Sequence, residues 1–255
     1  VNCKYSVAVN SATSALHLAC LAVGVGIGDR VWTTPITFVA TANCARFCGA
    51  IIDFVDIDLA TGLMSTVALE RKLKEAEING ELPKLIIPVH LAGSSCDMKI
   101  ISNLSEKYNF KVIEDASHAI GGKYRNKPVG SCYYSDLTIF SFHPVKIITT
   151  GEGGMICTNN KEYADRIMLL RNHGIVRDES KFSLQSQGPW YYEQQELGFN
   201  YRMNDIEAAL GLSQIKRLEN IVIERNKLLS MYVELLKEVP VTLLKIPDGV
   251  FSSVH

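Results

Sequence analysis

Short β-rich runs alternate with helix-period stretches along most of this 255-residue chain. Residues 30–34 lead into a helical pattern over 38–48, residues 51–55 into one over 66–78, and residues 84–88 into one over 98–108. A further run follows at 111–114. Chains patterned this way fold as α/β, a mostly parallel sheet with helices on both faces. Runs such as Lys84-Leu85-Ile86-Ile87-Pro88 are apolar almost throughout, as strands buried on both sides are. Two closely spaced strands are expected at 137–142 and 154–158, then a helix over 161–172. Residues 174–199 read as a polar and aromatic loop, long enough that a functional role is expected of it. One long amphipathic helix is expected over 204–237, ending ahead of Pro240. The chain opens on Val1 and closes on Phe251-Ser252-Ser253-Val254-His255, which resembles another strand, so a segment cut from a longer protein is expected.

Charge narrows the partners. Lys and Arg total 26 against 27 Asp and Glu, a net charge of −1, which leaves no electrostatic footprint for nucleic acid or an anionic membrane. The longest apolar stretch, residues 16–28, is too short to span a bilayer and no signal peptide is visible, so a cytoplasmic protein is expected. Seven cysteines are scattered without a Cys-x-x-Cys pair, which fits reduced thiols better than a zinc site.

Ligands of open α/β sheets sit at the carboxyl ends of the strands, so residues that directly follow strands are the candidates. Asn10-Ser11-Ala12-Thr13-Ser14-Ala15-Leu16 joins a Val-Ala-Val run to a helix start. Amides and hydroxyls there converge on one point and suit a phosphate, although a plain helix cap needs no more than Ser or Thr. Asp115 closes the 111–114 run, where a carboxylate facing a crevice wants a cation, and His118 follows one turn later. Ser141-Phe142-His143-Pro144-Val145-Lys146 leaves the next strand and enters the turn Gly151-Glu152-Gly153-Gly154. A lysine on so apolar a stretch is desolvated, and a desolvated amine is a nucleophile toward an aldehyde. Its bland alternative is a lysine reaching out to solvent. Two patterns are decoys. Gly24-Val25-Gly26-Ile27-Gly28 ends a helix instead of following a strand, and Asp56-Ile57-Asp58 is better explained as a turn than as a metal-binding pair.

Taken in order, the helix-start loop, Asp115-x-x-His118, Ser141-Phe-x-x-x-Lys146 and the glycine turn resemble the DegT/DnrJ/EryC1/StrS family. So do Thr34-Pro35-Ile36-Thr37-Phe38-Val39-Ala40-Thr41-Ala42-Asn43 and Leu197-Gly198-Phe199-Asn200-Tyr201-Arg202. The resemblance covers essentially the whole chain. It implies a fold-type-I transferase dependent on pyridoxal 5'-phosphate, an aminotransferase acting on nucleotide-linked sugars. The family roles then fall on Ala12, Thr13 and Ser141 for the cofactor phosphate, Phe38 for one face of the ring and His118 for its other side. Asp115 falls to the ring nitrogen and Lys146 to the Schiff base. Ala12 stands where glycine is commoner in the family, a change of little consequence if the backbone amide is the contact.

In such enzymes the subunits share active sites in a homodimer. Asn200 is thereby expected to contact the neighbouring cofactor's phosphate and Arg202 the neighbouring substrate. Gly151-Glu152-Gly153-Gly154 and Gly188-Pro189-Trp190-Tyr191-Tyr192-Glu193 look most like the branch serving pseudaminic acid biosynthesis. That branch takes a UDP-linked 4-keto-6-deoxy-N-acetylhexosamine, with glutamate as the amino donor the family implies. Residues 1–238 are then the cofactor-binding domain, lacking its amino-terminal part, and 239–255 the start of a second, smaller domain. Sugar dehydratases related to the family carry histidine in place of the lysine, and a binding protein on the same fold is expected to lose Lys146 or Asp115. Both residues are present.

Overall fold

The computed structural model describes residues 1–255. Its centre is a seven-stranded sheet in the order β1-β9-β8-β5-β4-β2-β3. The strands are β1 (Tyr5–Val9), β2 (Arg30–Thr33), β3 (Ile51–Phe54), β4 (Leu85–Ile86), β5 (Lys111–Asp115), β8 (Leu137–Ser141) and β9 (Gly154–Thr158). All but β9 run in one direction; β9 is antiparallel to both β1 and β8. The expected mostly parallel sheet is therefore present, and the two closely spaced strands of the sequence are its antiparallel pair.

Helices cover both faces because the strands alternate between two cores. Val31, Leu85 and Ile113 enter one cluster with α1 (Ala12–Ala22), α2 (Ala40–Phe47) and α5 (Lys161–Leu170). Their strand neighbours Trp32, Ile86 and Val112 enter the opposite cluster with α3 (Thr66–Asn79) and α4 (Met98–Tyr108). Successive side chains point to opposite faces, so a strand buried on both must be apolar at nearly every position. Helix starts follow the capping chemistry of the sequence. Ser65 and Asp97 accept the amides of Ala68 and Ile100, and Asn204 forms a reciprocal capping box with Glu207.

Two expectations need correction. The single helix over 204–237 is two, α6 (Asp205–Ile215) and α7 (Leu218–Leu235). The backbone tightens where Arg217 donates to Gln214 O, and this turns Leu218, Ile221 and Val222 onto a third apolar cluster that includes Ile120 and Ile148. Gly121 makes room for that contact, since a Cβ there would lie 2.8 Å from Val222 Cγ2. The helix expected over 38–48 begins instead at Ala40, so Phe38 lies on the loop before it. The 174–199 loop carries only a short ladder, β10 (Ile175–Val176) with β11 (Glu193–Gln194), and one 3-10 turn at Glu179–Lys181. Near the end of the chain β12 (Val250–Phe251) pairs with β6 (Lys123–Tyr124), itself paired with β7 (Lys127–Pro128).

Candidate active site

The carboxyl ends of β1, β5 and β8 and the amino terminus of α1 surround one cavity of about 260 Å³. Ala12, Thr13, Phe38, Asp115, His118, Ser141 and Lys146 all line it, so seven residues singled out over 130 positions of sequence share one space. Ser11, Thr37, Val89, Ser117, His143 and Glu152 join them.

At one end is the start of α1. Ser11 caps the helix by accepting the Ser14 amide (3.1 Å), and the first amides of a helix have no intrahelical acceptor. The amides of Ala12 and Thr13 therefore stay available beside the Ser141 hydroxyl, with the positive end of the helix dipole behind them. This corner is closed from below by Gly154, where a Cβ would lie 2.6 Å from Ser11 C and 2.7 Å from Ala12 N. Only a glycine lets β9 pass so close.

At the floor, Asp115 ends β5 and is buried. Thr41 Oγ1 donates to its Oδ2 (2.7 Å), while the amide and hydroxyl of Ser117 donate to Oδ1 at 3.1 and 2.6 Å. Three donors fix the carboxylate in orientation. On the preceding residue, Glu114 faces away and meets the buried His90 at 2.6 Å. The Nδ1 of His90 accepts the Cys96 amide, which makes it the Nε2–H tautomer.

Lys146 stands on the wall opposite. It is half-buried, and burial lowers its pKa from the ordinary lysine value, with the Asp115 charge a smaller influence in the other direction. His118 closes the remaining side. Burial first, then the charge of Lys146, push its pKa down to about 4 against the pull of Asp115. Its Nδ1 is buried and has no hydrogen-bond partner. Phe38 projects over the opening with 71% of its surface exposed.

Asn200 and Arg202 lie outside this space. Asn200 forms an isolated bridge with Asn172, and Arg202 Nη1 donates to Asn172 Oδ1 (2.8 Å). Sequence reasoning gave no role to Thr41 or Ser117. Thr41 lies within residues 34–43 and Ser117 between Asp115 and His118, and the signal was a hydroxyl near a carboxylate that had to be buried. The two decoys behave as plain structure. Gly24 and its neighbours follow the end of α1, and Asp58 Oδ1 accepts the amides of Ala60 and Thr61 in a turn. All seven cysteines are free, no group of side chains is placed to hold a metal ion, and no helix is long and apolar enough to cross a membrane.

The model of the DegT/DnrJ/EryC1/StrS aminotransferase family matches residues 1–254. A UDP-4-amino-4,6-dideoxy-N-acetyl-beta-L-altrosamine transaminase of Campylobacter jejuni is 43% identical over 253 residues, covering 99% of this chain. The chain spans 63% of that relative's length. Among solved structures, PseC of Helicobacter pylori, an aminotransferase involved in the biosynthesis of pseudoaminic acid, superimposes with a TM-score of 0.82 at 33% identity. That match covers 94% of this chain and 60% of PseC. Spr1654 of Streptococcus pneumoniae in its PLP form gives a TM-score of 0.84 at 29% identity, covering 99% of this chain and 65% of the other.

Proposed function

Because the chain belongs to the DegT/DnrJ/EryC1/StrS aminotransferase family, we propose that it transfers an amino group from glutamate to C4 of a UDP-linked 4-keto-6-deoxy-N-acetylhexosamine, using pyridoxal 5'-phosphate. The observation that carries this reading is a half-buried amine, Lys146, sharing one cavity with a buried carboxylate and a helix amino terminus. The residues fit the cofactor on their own terms. The Ala12 and Thr13 amides with Ser141 suit its phosphate, Asp115 its ring nitrogen, and Phe38 and His118 its two faces. The orphaned Nδ1 of His118 is a polar atom such a ligand would approach.

When bound, pyridoxal phosphate supplies an aldehyde that condenses with amines and a ring that accepts the electron pair released when a C–H bond breaks. This chain's residues do the rest. Asp115, held by three donors, keeps a negative charge at the ring nitrogen and the proton there. Lys146 Nζ is the amine that would hold the cofactor through its aldehyde, and as a free amine it would serve as the base for the donor's α-carbon. It takes the proton from that carbon and, in the second half-reaction, returns one to C4 of the sugar. Its lowered proton affinity suits both tasks, since a general base works best with a pKa near the working pH.

The UDP-sugar substrate and the pathway are supported by the Campylobacter and Helicobacter relatives. A homodimer with shared sites accounts for Asn200 and Arg202 lying outside the cavity of their own chain, and for the exposed Ile206, Leu210, Leu212 and Ile215 of α6. We read residues 1–238 as the cofactor-binding domain and 239–255 as the passage into a second one. Leu228, Met231, Tyr232 and Leu235 on α7 are exposed, an apolar face for that domain to cover. A cytoplasmic location suits enzymes that use nucleotide sugars.

The test is borohydride reduction of the cofactor-loaded protein followed by peptide mapping. A pyridoxyl adduct on Lys146, absent in Lys146→Ala, is expected together with glutamate-dependent formation of amino sugar. An adduct on a different lysine refutes the assignment.

A further inference from the structure

Past β12 the backbone follows a path that its residues do not favour. Ser253 is buried, and it donates its amide to Gly93 O (3.1 Å) and its hydroxyl to His118 O (3.0 Å). Val254 then adopts φ 54°, the left-handed region, which is a genuine outlier for a β-branched side chain. On the facing turn Ala92 is left-handed as well, at φ 52°. Gly93 follows it, and a Cβ there would lie 2.7 Å from Val254 N and 3.1 Å from His118 O. Strain of this kind persists only where the surroundings over-determine it, and it gathers at functional sites. Here the surroundings do so. Arg225 Nη1 donates to Val254 O (2.9 Å), Asn226 Nδ2 to Ser252 O (3.0 Å), and the His255 amide to Ala92 O (3.1 Å).

What these constraints deliver is one contact. The His255 ring lies on the His118 ring with centroids 4.1 Å apart and planes 21° from parallel. The Nδ1 of each is buried without a hydrogen-bond partner, so no bond through that atom orients either ring and the stack does so instead.

We propose that His255 is a positioning residue: stacked on His118, it fixes that ring as an uncharged, oriented wall of the cavity. That a pyridine ring lies against this wall rests on the function proposed above; the stack and its effect on His118 do not. Two imidazolium rings at this separation would repel across a buried contact, so a proton on one ring opposes a proton on the other. The charged groups facing it act mostly in the same sense. Lys146, from the cavity side, presses protons off both rings, and Arg225 of α7 presses on His255. Only Asp115 pulls a proton toward His118. Burial is the largest cause for each ring, and each is pushed down to about 4. His118 is therefore neutral at physiological pH. An imidazolium in its place would repel a protonated ring nitrogen, whereas a neutral ring stacks on it.

The test compares His255→Ala and His255→Phe by NMR titration of the histidine rings, first in cofactor-free protein and then with pyridoxal phosphate added. In the parent protein His118 is expected to titrate near 4. His255→Ala uncovers the ring, and its midpoint is expected to rise by at least about 1 unit, a tenfold gain in proton affinity. Cofactor dissociation should weaken by at least about tenfold alongside it. His255→Phe keeps an aromatic cover and should leave both properties close to the parent values. A His118 midpoint that does not move in His255→Ala overturns the proposal. If that variant fails to fold, His255→Phe decides alone: a raised His118 midpoint there is the refuting result. Failure to label Lys146 with borohydride would instead overturn the proposed function, and the cofactor-free titrations would still decide the role of His255.

Discussion

Asp115→Asn is the substitution whose costs to stability and to chemistry separate most cleanly. In the parent protein Asp115 accepts from Thr41 Oγ1, the Ser117 amide and the Ser117 hydroxyl. An asparagine of the same shape keeps its carbonyl oxygen toward Ser117 and turns its amide toward Thr41. The Thr41 hydroxyl can then accept from that amide and donate to Phe38 O, 3.1 Å away. No buried polar atom is orphaned, so what disappears is the charge assistance of three bonds. A hydrogen bond to a charged group contributes about 1.5–3 kcal/mol and a neutral one about 0.5–1.5, a difference of about 1 kcal/mol per bond. The summed loss of about 3 kcal/mol is an upper value, because the variant no longer buries a charge. At about 2–4 °C per kcal/mol for a domain of this size, Tm should fall by no more than about 12 °C. Turnover should suffer far more, by at least about 10³-fold or 4 kcal/mol, since an amide cannot hold the ring nitrogen protonated. Thermal unfolding, cofactor titration and single-turnover amino transfer measured on the same preparation separate these effects. A variant that binds cofactor and retains kcat within about tenfold of the parent would refute the role given to Asp115.

Gly154→Ala places a Cβ against the Ser11 and Ala12 backbone, where no side chain can yield. Pyridoxal phosphate affinity should drop by at least about tenfold while that for pyridoxal, which lacks the phosphate, changes little; equal losses would contradict a phosphate corner there. Stability should also depend on pH through the two stacked histidines. They protonate near 4 when folded and near 6.5 when unfolded, so the unfolded chain binds more protons in between. Their contribution is complete above about pH 6.5 and is lost as pH falls toward 4. Urea unfolding midpoints from pH 7.5 to 4.5 read this directly, and a profile flat across that window would show the two rings titrating normally. On the proposed shared-site homodimer, mixing inactive Lys146→Ala with inactive Arg202→Ala subunits should restore activity toward half per hybrid, since one of the two sites would then carry neither defect. Verified hybrids without activity would count against Arg202 acting across a subunit boundary.

The strands and most of the helices were legible because both cores demand apolar residues at most central strand positions and helical spacing between them. The break at Arg217 was not, since no proline or glycine marks it. It arises from distant packing of Val222 on Gly121, which a local pattern does not record. The cavity that gathers the candidate residues was legible where they follow strands: Asp115 ends β5, Ser141 ends β8, and Lys146 and His118 come within a turn or two of them. His255 was not legible at all. It approaches His118 through a strained backbone path across 137 positions of sequence, and neither histidine alone announces a partner.

The arrangement around Asp115 also explains why Lys146 can be the nucleophile. A lysine and a carboxylate in one small cavity would ordinarily form an ion pair, and an ammonium so paired neither attacks an aldehyde nor takes up a proton. No such pair forms here. Three of the about four lone-pair positions of Asp115 are occupied by the two hydroxyls and the amide of Thr41 and Ser117, and its attraction is the smaller influence on Lys146. Burial is the larger one, and it favours the neutral amine. Satisfying the carboxylate with uncharged donors thus leaves the amine free and the anion fixed, each available to a different part of the same ligand. Thr41→Val removes one of those donors without adding volume, and by this logic it should draw the lysine toward the carboxylate.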